Sequence, residues 1–357
     1  MTRTVAGGAF LRLLLVLLLA GAGVAVWLWM GYQRFADAPL QGVEADDSLV
    51  VASGDSLDKV LAKLQAQGVA TGERRQWQVL ARQLGAAGKL QIGEYTLGTD
   101  TTPRSLLLAM RDGKVVRRMF TIVEGWNIRE LRAALKATPM LEQETAALDD
   151  AALMKALGHA GQHPEGRFLP ETYAWVRGDS DLDILKRAHR DMVKALDEAW
   201  SSRAEGLPLK DKDEALTLAS IVEKETGIAE ERPQIAGVFV RRLSIGMRLQ
   251  TDPTVIYGMG TAYNGNIRRS DLTTDTPYNT YLRAGLTPTP IAMPGKAALR
   301  AATRPADGNT LYFVAVGDGS GRHVFSASLG EHNAAVQEYV QRYRAQRQAE
   351  RGQAATQ

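Results

Sequence analysis

The sequence predicts an α+β protein tethered by one N-terminal transmembrane helix. Three observations carry that expectation. An uncharged apolar run, Leu13 to Met30, stands near the N-terminus and nothing like it recurs later in the chain. Behind it, short strands alternate with amphipathic helices, several of them opened by a capping residue and stopped by glycine. The composition, 45% hydrophobic and 23% charged over 357 residues, is that of a globular chain with two or three folded units. It excludes global disorder and collagen-like structure.

The apolar run reads LLLVLLLAGAGVAVWLWM, and as a helix it would rise about 27 Å, close to the ~30 Å hydrocarbon thickness of a bilayer. Phe10 and Leu11 extend it if Arg12 snorkels. Trp27, Trp29 and Tyr32 sit where an aromatic belt would meet the far interface. Arg3, Arg12 and the amino terminus precede the span, whereas Asp37, Glu44, Asp46 and Asp47 follow it after Arg34. The positive-inside rule then places residues 1–12 in the cytoplasm, the anchor over 13–32, and the remainder on the other side. A cleaved signal peptide is the alternative, since Ala20–Ala25 supplies small residues for a cleavage site. The run continues through Val26–Met30, which is long for a signal core. Under either reading the bulk of the chain is exported.

Several function classes fall away. There is no Cys, which removes disulfide scaffolds, thiolate metal sites, iron–sulfur clusters and cysteine nucleophiles. Net charge is only +3, from 43 Lys and Arg against 40 Asp and Glu, and the two signs are interspersed. No basic stripe suggests nucleic acid as a partner. The five His show no HExxH or paired metal spacing, so neither metal nor cofactor is expected. Gly317-Asp318-Gly319-Ser320-Gly321 joins strands over Leu311–Val316 and His323–Ser326; it reads as a hairpin turn, because no helix opened by Lys-Ser/Thr follows it.

Residues 33–48 are polar, with Pro and Gly, and read as a linker. A strand begins at Leu49–Val51. Gly54-Asp55-Ser56 turns the chain, and Ser56 caps a helix ending at Gly68, its apolar face formed by Leu57, Val60, Leu61 and Leu64. A second helix covers Glu73–Leu84 and a strand Gly93–Leu97. Thr102-Pro103 opens another helix, and Val115–Val123 is a strand. The turn, cap and helix at 53–62 are echoed at 124–135. The 49–123 segment resembles a LysM-type carbohydrate-binding module, whose pattern is strand–helix–helix–strand; a structural spacer is the alternative. Residues 138–165 are Ala-rich and predicted helical. Glu165–Tyr173 is a structured loop, Asp183–Arg203 a long helix, and 346–357 a flexible tail.

The densest polar chemistry lies between 211 and 295. Asp211 or Asp213 caps a helix, EALTLASIVEKET, which Gly227 is expected to end. At about 100° per residue, Leu218, Ile221 and Val222 form an apolar stripe. Glu225 lies seven residues after Leu218 and falls on that stripe, while Glu223 points roughly the opposite way. A carboxyl at a partly buried helix C-terminus has a raised pKa, from desolvation and from the dipole. A Glu protonated near neutral pH is what a general acid requires. The alternative is a buried ion pair with Arg232, Arg241 or Arg242. After a second helix, Glu231–Leu243, the segment Met247–Pro253 is predicted to be a strand entering a turn. The stretch that follows has little periodicity and is rich in Tyr, Asn, Gln, Thr, Gly and Pro. Long loops in compact domains are usually functional. Rings for pyranose faces beside amides for hydroxyls suit a saccharide groove. Gln250, Tyr278, Asn279, Thr280 and Tyr281 are the expected contacts, with Tyr257 a further one. Asp252 is either a second carboxylate of the site or a structural turn residue.

The motifs IVEKET, RLSIGMRLQTDPTVIYGMG, PYNTYLRAGLTPTPIAMPG and LYFVAVGDGSGRHVFSASLGEHN resemble the endolytic murein transglycosylases, the MltG or YceG-like family. The resemblance covers nearly all of the exported chain and is strongest over 215–333. IAMPG departs from the family's usual IATPG at Met293. The resemblance implies a single-pass inner-membrane protein with a LysM-like subdomain at 49–123 and a mixed α/β catalytic domain at 124–345. It implies cleavage of the β-1,4 bond between N-acetylmuramic acid and N-acetylglucosamine within peptidoglycan glycan strands, leaving 1,6-anhydro ends, and it makes peptidoglycan synthases candidate partners. The family's catalytic glutamate, the second Glu of E-K-E-T, falls on Glu225. Such a lytic enzyme needs only one carboxyl, whereas hydrolases use a pair. A hydrolytic muramidase using Asp252 and a non-catalytic peptidoglycan-binding scaffold are the competing readings.

Overall fold

The structure, a computed structural model, describes residues 5–354, which divide into two compact units. One comprises the chain through Arg118 together with Trp175–Gly178; the other comprises Met119–Ala174 and the chain from Asp179 onward. Arg3 and the amino terminus, part of the orientation argument, lie outside the described residues.

The first unit opens with α1 (Val5–Asp37), a single helix. From Phe10 to Asp37 it is apolar enough to cross a membrane, and its large apolar side chains up to Met30 face outward. Its other end is built into the unit. Ala36 is fully buried, the Phe35 ring meets Trp77 edge-on at 5.7 Å, and Arg104 Nε donates to Asp37 Oδ1 at 2.6 Å. The stretch expected as a linker therefore starts as packed helix, and Leu40 beyond it is also buried.

The order then runs β1 (Asp47–Val51), α2 (Leu57–Ala66), α3 (Arg74–Gln83), β2 (Gly93–Leu97) and α4 (Pro103–Asp112). β1 and β2 pair antiparallel, with Asp47 opposite Leu97 and Val51 opposite Gly93. The Ser56 side chain accepts from Lys59 N to start α2, and Thr102 caps α4 with Pro103 in its first turn. Apolar residues at helical spacing (Val60, Leu61 and Leu64 on α2, Trp77 and Leu80 on α3) close over Leu49, Tyr95 and Leu97 of the sheet.

The second unit contains β3 (Arg118–Thr121) from Met119 onward, α5 (Ile128–Lys136), α6 (Asp150–Ala156) and β4 (Thr172–Trp175) as far as Ala174, with β3 paired to β4. Next come α7 (Asp181–Ser201), α8 (Lys212–Glu225), α9 (Arg232–Ser244), α10 (Asp252–Met259), α11 (Arg269–Thr273) and α12 (Lys296–Thr303). A hairpin of β5 (Tyr312–Ala315) and β6 (His323–Ser326) precedes α13 (Leu329–Ala354). Helix α8 is the core: every residue from Ala215 to Glu223 is buried, with α7, α9 and α12 packed around it. A helix buried on all sides is not amphipathic, so the single apolar stripe expected for it is replaced by a wholly interior helix.

Other expectations change as well. Of residues 138–165 only α6 is helical. Pro139, Pro164 and the left-handed Gly158 and Gly161 interrupt the rest, and the Asp181 carboxylate draws Glu144 N and Thr145 N into a loop. Met247–Pro253 forms no strand, because Gln250 takes φ +51 and Asp252 already begins α10. Helix α13 continues to Ala354 through most of the expected tail, a stretch of Ala, Gln and Arg that favours helix.

Candidate functional site: a cleft at the end of the buried helix

Three consecutive residues at the end of α8 point in three directions. Glu223 accepts Arg232 Nη2 at 3.2 Å on one oxygen and Gly295 N at 2.9 Å on the other. Lys224 Nζ donates to Gly125 O at 3.1 Å. Glu225 turns into a cleft of about 440 Å³, lined in part by Arg242, Gln250, Thr251, Asp252 and Tyr281. The buried ion pair weighed for Glu225 thus belongs to Glu223, which is the more deeply buried of the two. Glu223 is buried, Glu225 is half-buried, and Lys224 between them is exposed. The helix ends at Glu225 without help from Gly227: Thr226 turns extended at φ −146, and its hydroxyl accepts from Ile228 N at 2.9 Å.

The wall facing Glu225 is the segment entering α10. The Thr251 hydroxyl donates to Glu225 Oε1. Thr280 holds that segment, its carbonyl accepting Gln250 N at 3.2 Å and its hydroxyl accepting Thr251 N at 3.1 Å. Gln250 sits in the left-handed region that favours glycine, a strain of about 1–3 kcal/mol that persists only where neighbours fix it. Asp252 is exposed in the cleft and accepts the Tyr281 hydroxyl at 2.6 Å. Burial pushes the Glu225 carboxyl up to about 7; the Thr251 hydrogen bond opposes this, the Asp252 charge adds to it, and Arg242 opposes it. The arrangement provides a carboxyl able to hold a proton near neutral pH, open to a ligand in a polar cleft.

Gln250, Asp252, Tyr281 and Glu225 are therefore brought together. Tyr257, Tyr278, Asn279 and Thr280 lie outside the lining of this cleft, each held by the protein's own groups. Asn279 Nδ2 donates to three carbonyls, those of Asp271, Leu272 and Thr274, and ties a long loop together. Thr280 is the internal brace just described. The Tyr278 hydroxyl pairs with Thr289 Oγ1 at 2.9 Å. Tyr257 donates to Glu165 Oε2 at 2.9 Å. A loop of this composition must satisfy its own backbone before it can offer groups to a ligand.

Two features lie outside the expected site residues. One is Glu165, fully buried, which also accepts Ile128 N at 3.0 Å at the start of α5; burial pushes its carboxyl up to about 7 against those hydrogen bonds. The other is the far wall of the cleft, where β5 and α13 bring Tyr312 and His332 beside Arg242. Met293 is fully buried, and its backbone pairs with Gly125 N and Trp126 O at 2.9 and 2.7 Å, bonds that do not depend on its side chain.

An apolar helix followed by a mixed helix–strand unit whose buried central helix ends in a carboxyl-bearing cleft defines the architecture of this chain. A YceG-like protein from Listeria monocytogenes superposes with a TM-score of 0.50 at 26% identity, covering 82% of this chain and 99% of that one. The YceG-like family profile matches residues 49–338, and the chain belongs to that family. The endolytic murein transglycosylase of Bacillus subtilis is 31% identical over 325 residues, 84% of this chain and 88% of that protein. The endolytic murein transglycosylase of Streptococcus pneumoniae (strain D39) is 31% identical over 181 residues, 49% of this chain and 32% of that protein.

Proposed function

We propose that the chain is an endolytic peptidoglycan lytic transglycosylase with Glu225 as its single acid–base group. The observation that carries this reading is the Glu225 carboxyl itself, raised to about 7 and turned into a polar cleft at the end of a buried helix. Glu225 protonates the glycosidic oxygen between N-acetylmuramic acid and N-acetylglucosamine as the bond to C1 breaks. The 6-hydroxyl of the same muramic residue then attacks C1 and gives its proton to the Glu225 carboxylate. The new C1–O6 bond closes a 1,6-anhydro ring, the enzyme regains its starting state, and no water is consumed. Gln250, Asp252 and Tyr281 contact the strand, while Thr251 orients the acid. Cutting nascent strands in this way terminates their elongation.

The apolar α1 and the charges flanking it support a single-pass anchor in the inner membrane, with the N-terminus cytoplasmic and the catalytic unit periplasmic. The β1–α2–α3–β2 order with antiparallel strands supports a LysM-like role for the first unit on glycan. Peptidoglycan synthases, which make the nascent strand, are the fitting partners. A second reading, a muramidase with Asp252 as base, draws on the presence of that carboxylate in the same cleft. The deciding experiment digests uncrosslinked glycan strands with the native protein and with Glu225→Gln. The lytic reading expects 1,6-anhydromuramic ends from the native protein and their loss in the variant. New reducing ends would favour the muramidase, and equal binding without cleavage would favour a scaffold.

A further inference from the structure

Helix α3 carries an outer stripe that the first unit leaves uncovered. Trp77, Leu80 and Ala81 point into the core. Arg75, Val79 and Arg82, spaced by four and three residues, share the opposite face, and all three are exposed. Arg74 beside them is tied to Asp58, whereas among the described residues neither Arg75 nor Arg82 is ion-paired. A valine between two free arginines is not in itself a binding surface. Its level along α1 decides what it meets.

The last turns of α1 are locked to this unit. The Phe35 ring meets Trp77 of α3, and Arg104 of α4 donates to Gln33 Oε1 at 3.1 Å as well as to Asp37. One turn earlier the Tyr32 hydroxyl donates to Gln83 Oε1, the last residue of α3. Val79 and Gln83 line one groove with Ala25, Leu28, Trp29 and Tyr32. Helix α3 therefore packs beside the exit of the apolar run. With Leu13–Met30 in the hydrocarbon layer, Tyr32 lies two residues, about 3 Å, beyond its edge. The headgroup layer extends about 5–7 Å from that edge. Side chains beside Trp29 and Tyr32 are thus at headgroup depth, and the packing of α1 holds them there. The stripe suits that layer: guanidinium groups pair with phosphate, and a small apolar side chain faces the acyl boundary. Arg34, exposed at the same level, adds a third cation in the hollow it lines with Glu73.

We propose that α3 lies in the lipid headgroup layer where α1 leaves the membrane, with Val79 at the apolar edge and Arg75 and Arg82 on the phosphates of anionic lipid. The assignment rests on α1 spanning a bilayer. The first unit is then seated on the membrane surface and does not swing from its anchor on a linker.

The chain has no native Cys, so single labels can be placed in the otherwise unchanged protein. Full-length Val79→Cys carrying a nitrobenzoxadiazole fluorophore is reconstituted into phosphatidylcholine vesicles. These contain a quencher lipid with its nitroxide just below the headgroup, either phosphatidylcholine or phosphatidylglycerol. Leu18→Cys, read with a nitroxide deep in the acyl chains, is the reference for the span. The Val79 label should be quenched by both shallow lipids. Phosphatidylglycerol should be preferred by about 2- to 5-fold for each arginine. Arg75→Gln together with Arg82→Gln should remove that preference and leave the melting temperature unchanged. A Val79 label that neither shallow lipid quenches, in protein whose Leu18 label is quenched, would overturn the proposal, because the unit would then stand off in water. Equal quenching by the two lipids would also overturn it, since the arginines would hold no phosphate. An unquenched Leu18 label would remove the spanning helix itself, and the proposal with it.

Discussion

Two regions of the second unit hold buried glutamates with the same raised pKa, about 7, and only one opens to a ligand. Glu165 is sealed: no part of it is exposed, and its oxygens hold the first turn of α5 and the Tyr257 hydroxyl of α10. Glu225 has a hydroxyl on one oxygen and turns the rest of its carboxyl toward the cleft. Desolvation raises both alike. What separates them is access, and a perturbed pKa identifies an acid only where a substrate can reach it.

The widest gap between the two should appear in turnover. Glu225→Gln keeps size and polarity but cannot exchange a proton, and kcat should fall by about 10²–10⁴-fold. Glu165→Gln should keep kcat within a few-fold. In the native protein kcat should decline as pH rises through about 7, where Glu225 loses the proton it must donate. A loss in Glu165→Gln matching that in Glu225→Gln would erase the distinction.

The next effect is on stability, at Glu223. Its carboxylate neutralises Arg232, whose side chain is only 10% exposed. Glu223→Gln should cost about 2–4 kcal/mol, because one partner of a buried pair is removed. Denaturant unfolding measures this, and activity of the folded fraction should remain within a few-fold.

A smaller effect comes from proton linkage at Glu165. Its folded pKa of about 7 lies above the ordinary 4.5. The native state therefore binds the extra proton between those values. That contribution to stability is fully present below about 4.5 and is lost as pH rises through about 7. Unfolding free energy measured across this window should fall with pH less in Glu165→Gln than in the native protein, by on the order of 1–3 kcal/mol at its upper end. The smallest effect is at Gln250. Gln250→Gly removes the left-handed strain and should gain about 0.5–1 kcal/mol, while KM rises because the side chain leaves the cleft.

Much of this was legible in the chain. Cap and glycine signals placed α2, α4 and the β5–β6 hairpin, because those choices are local. Glu225 was found by its spacing from Leu218, although the premise of one apolar stripe failed. Periodicity detects a buried face but not burial on every side, and so Glu223 was assigned to the wrong environment. The polar loops were the least legible. Tyr278, Asn279 and Tyr257 have the residue types of a saccharide groove, yet their groups satisfy the protein's own backbone and side chains. Of the expected contacts, Gln250, Asp252 and Tyr281 line the Glu225 cleft, and nothing local marks the difference. Tyr312 carried no local signal, and His332 read as a surface cap of the last helix or a residue near the groove, because both arrive from a hairpin and helix far along the chain from Glu225.

The central claim is that one carboxyl, Glu225, breaks the glycosidic bond with the substrate's own hydroxyl as nucleophile. Mass spectrometry of the strands released by the full-length native protein tests it most directly. The account predicts muramic ends in the 1,6-anhydro form, lighter by one water than a hydrolysed end, with no new reducing ends, and no products from Glu225→Gln. Reducing ends from the native protein, or undiminished anhydro products from the variant, would contradict it.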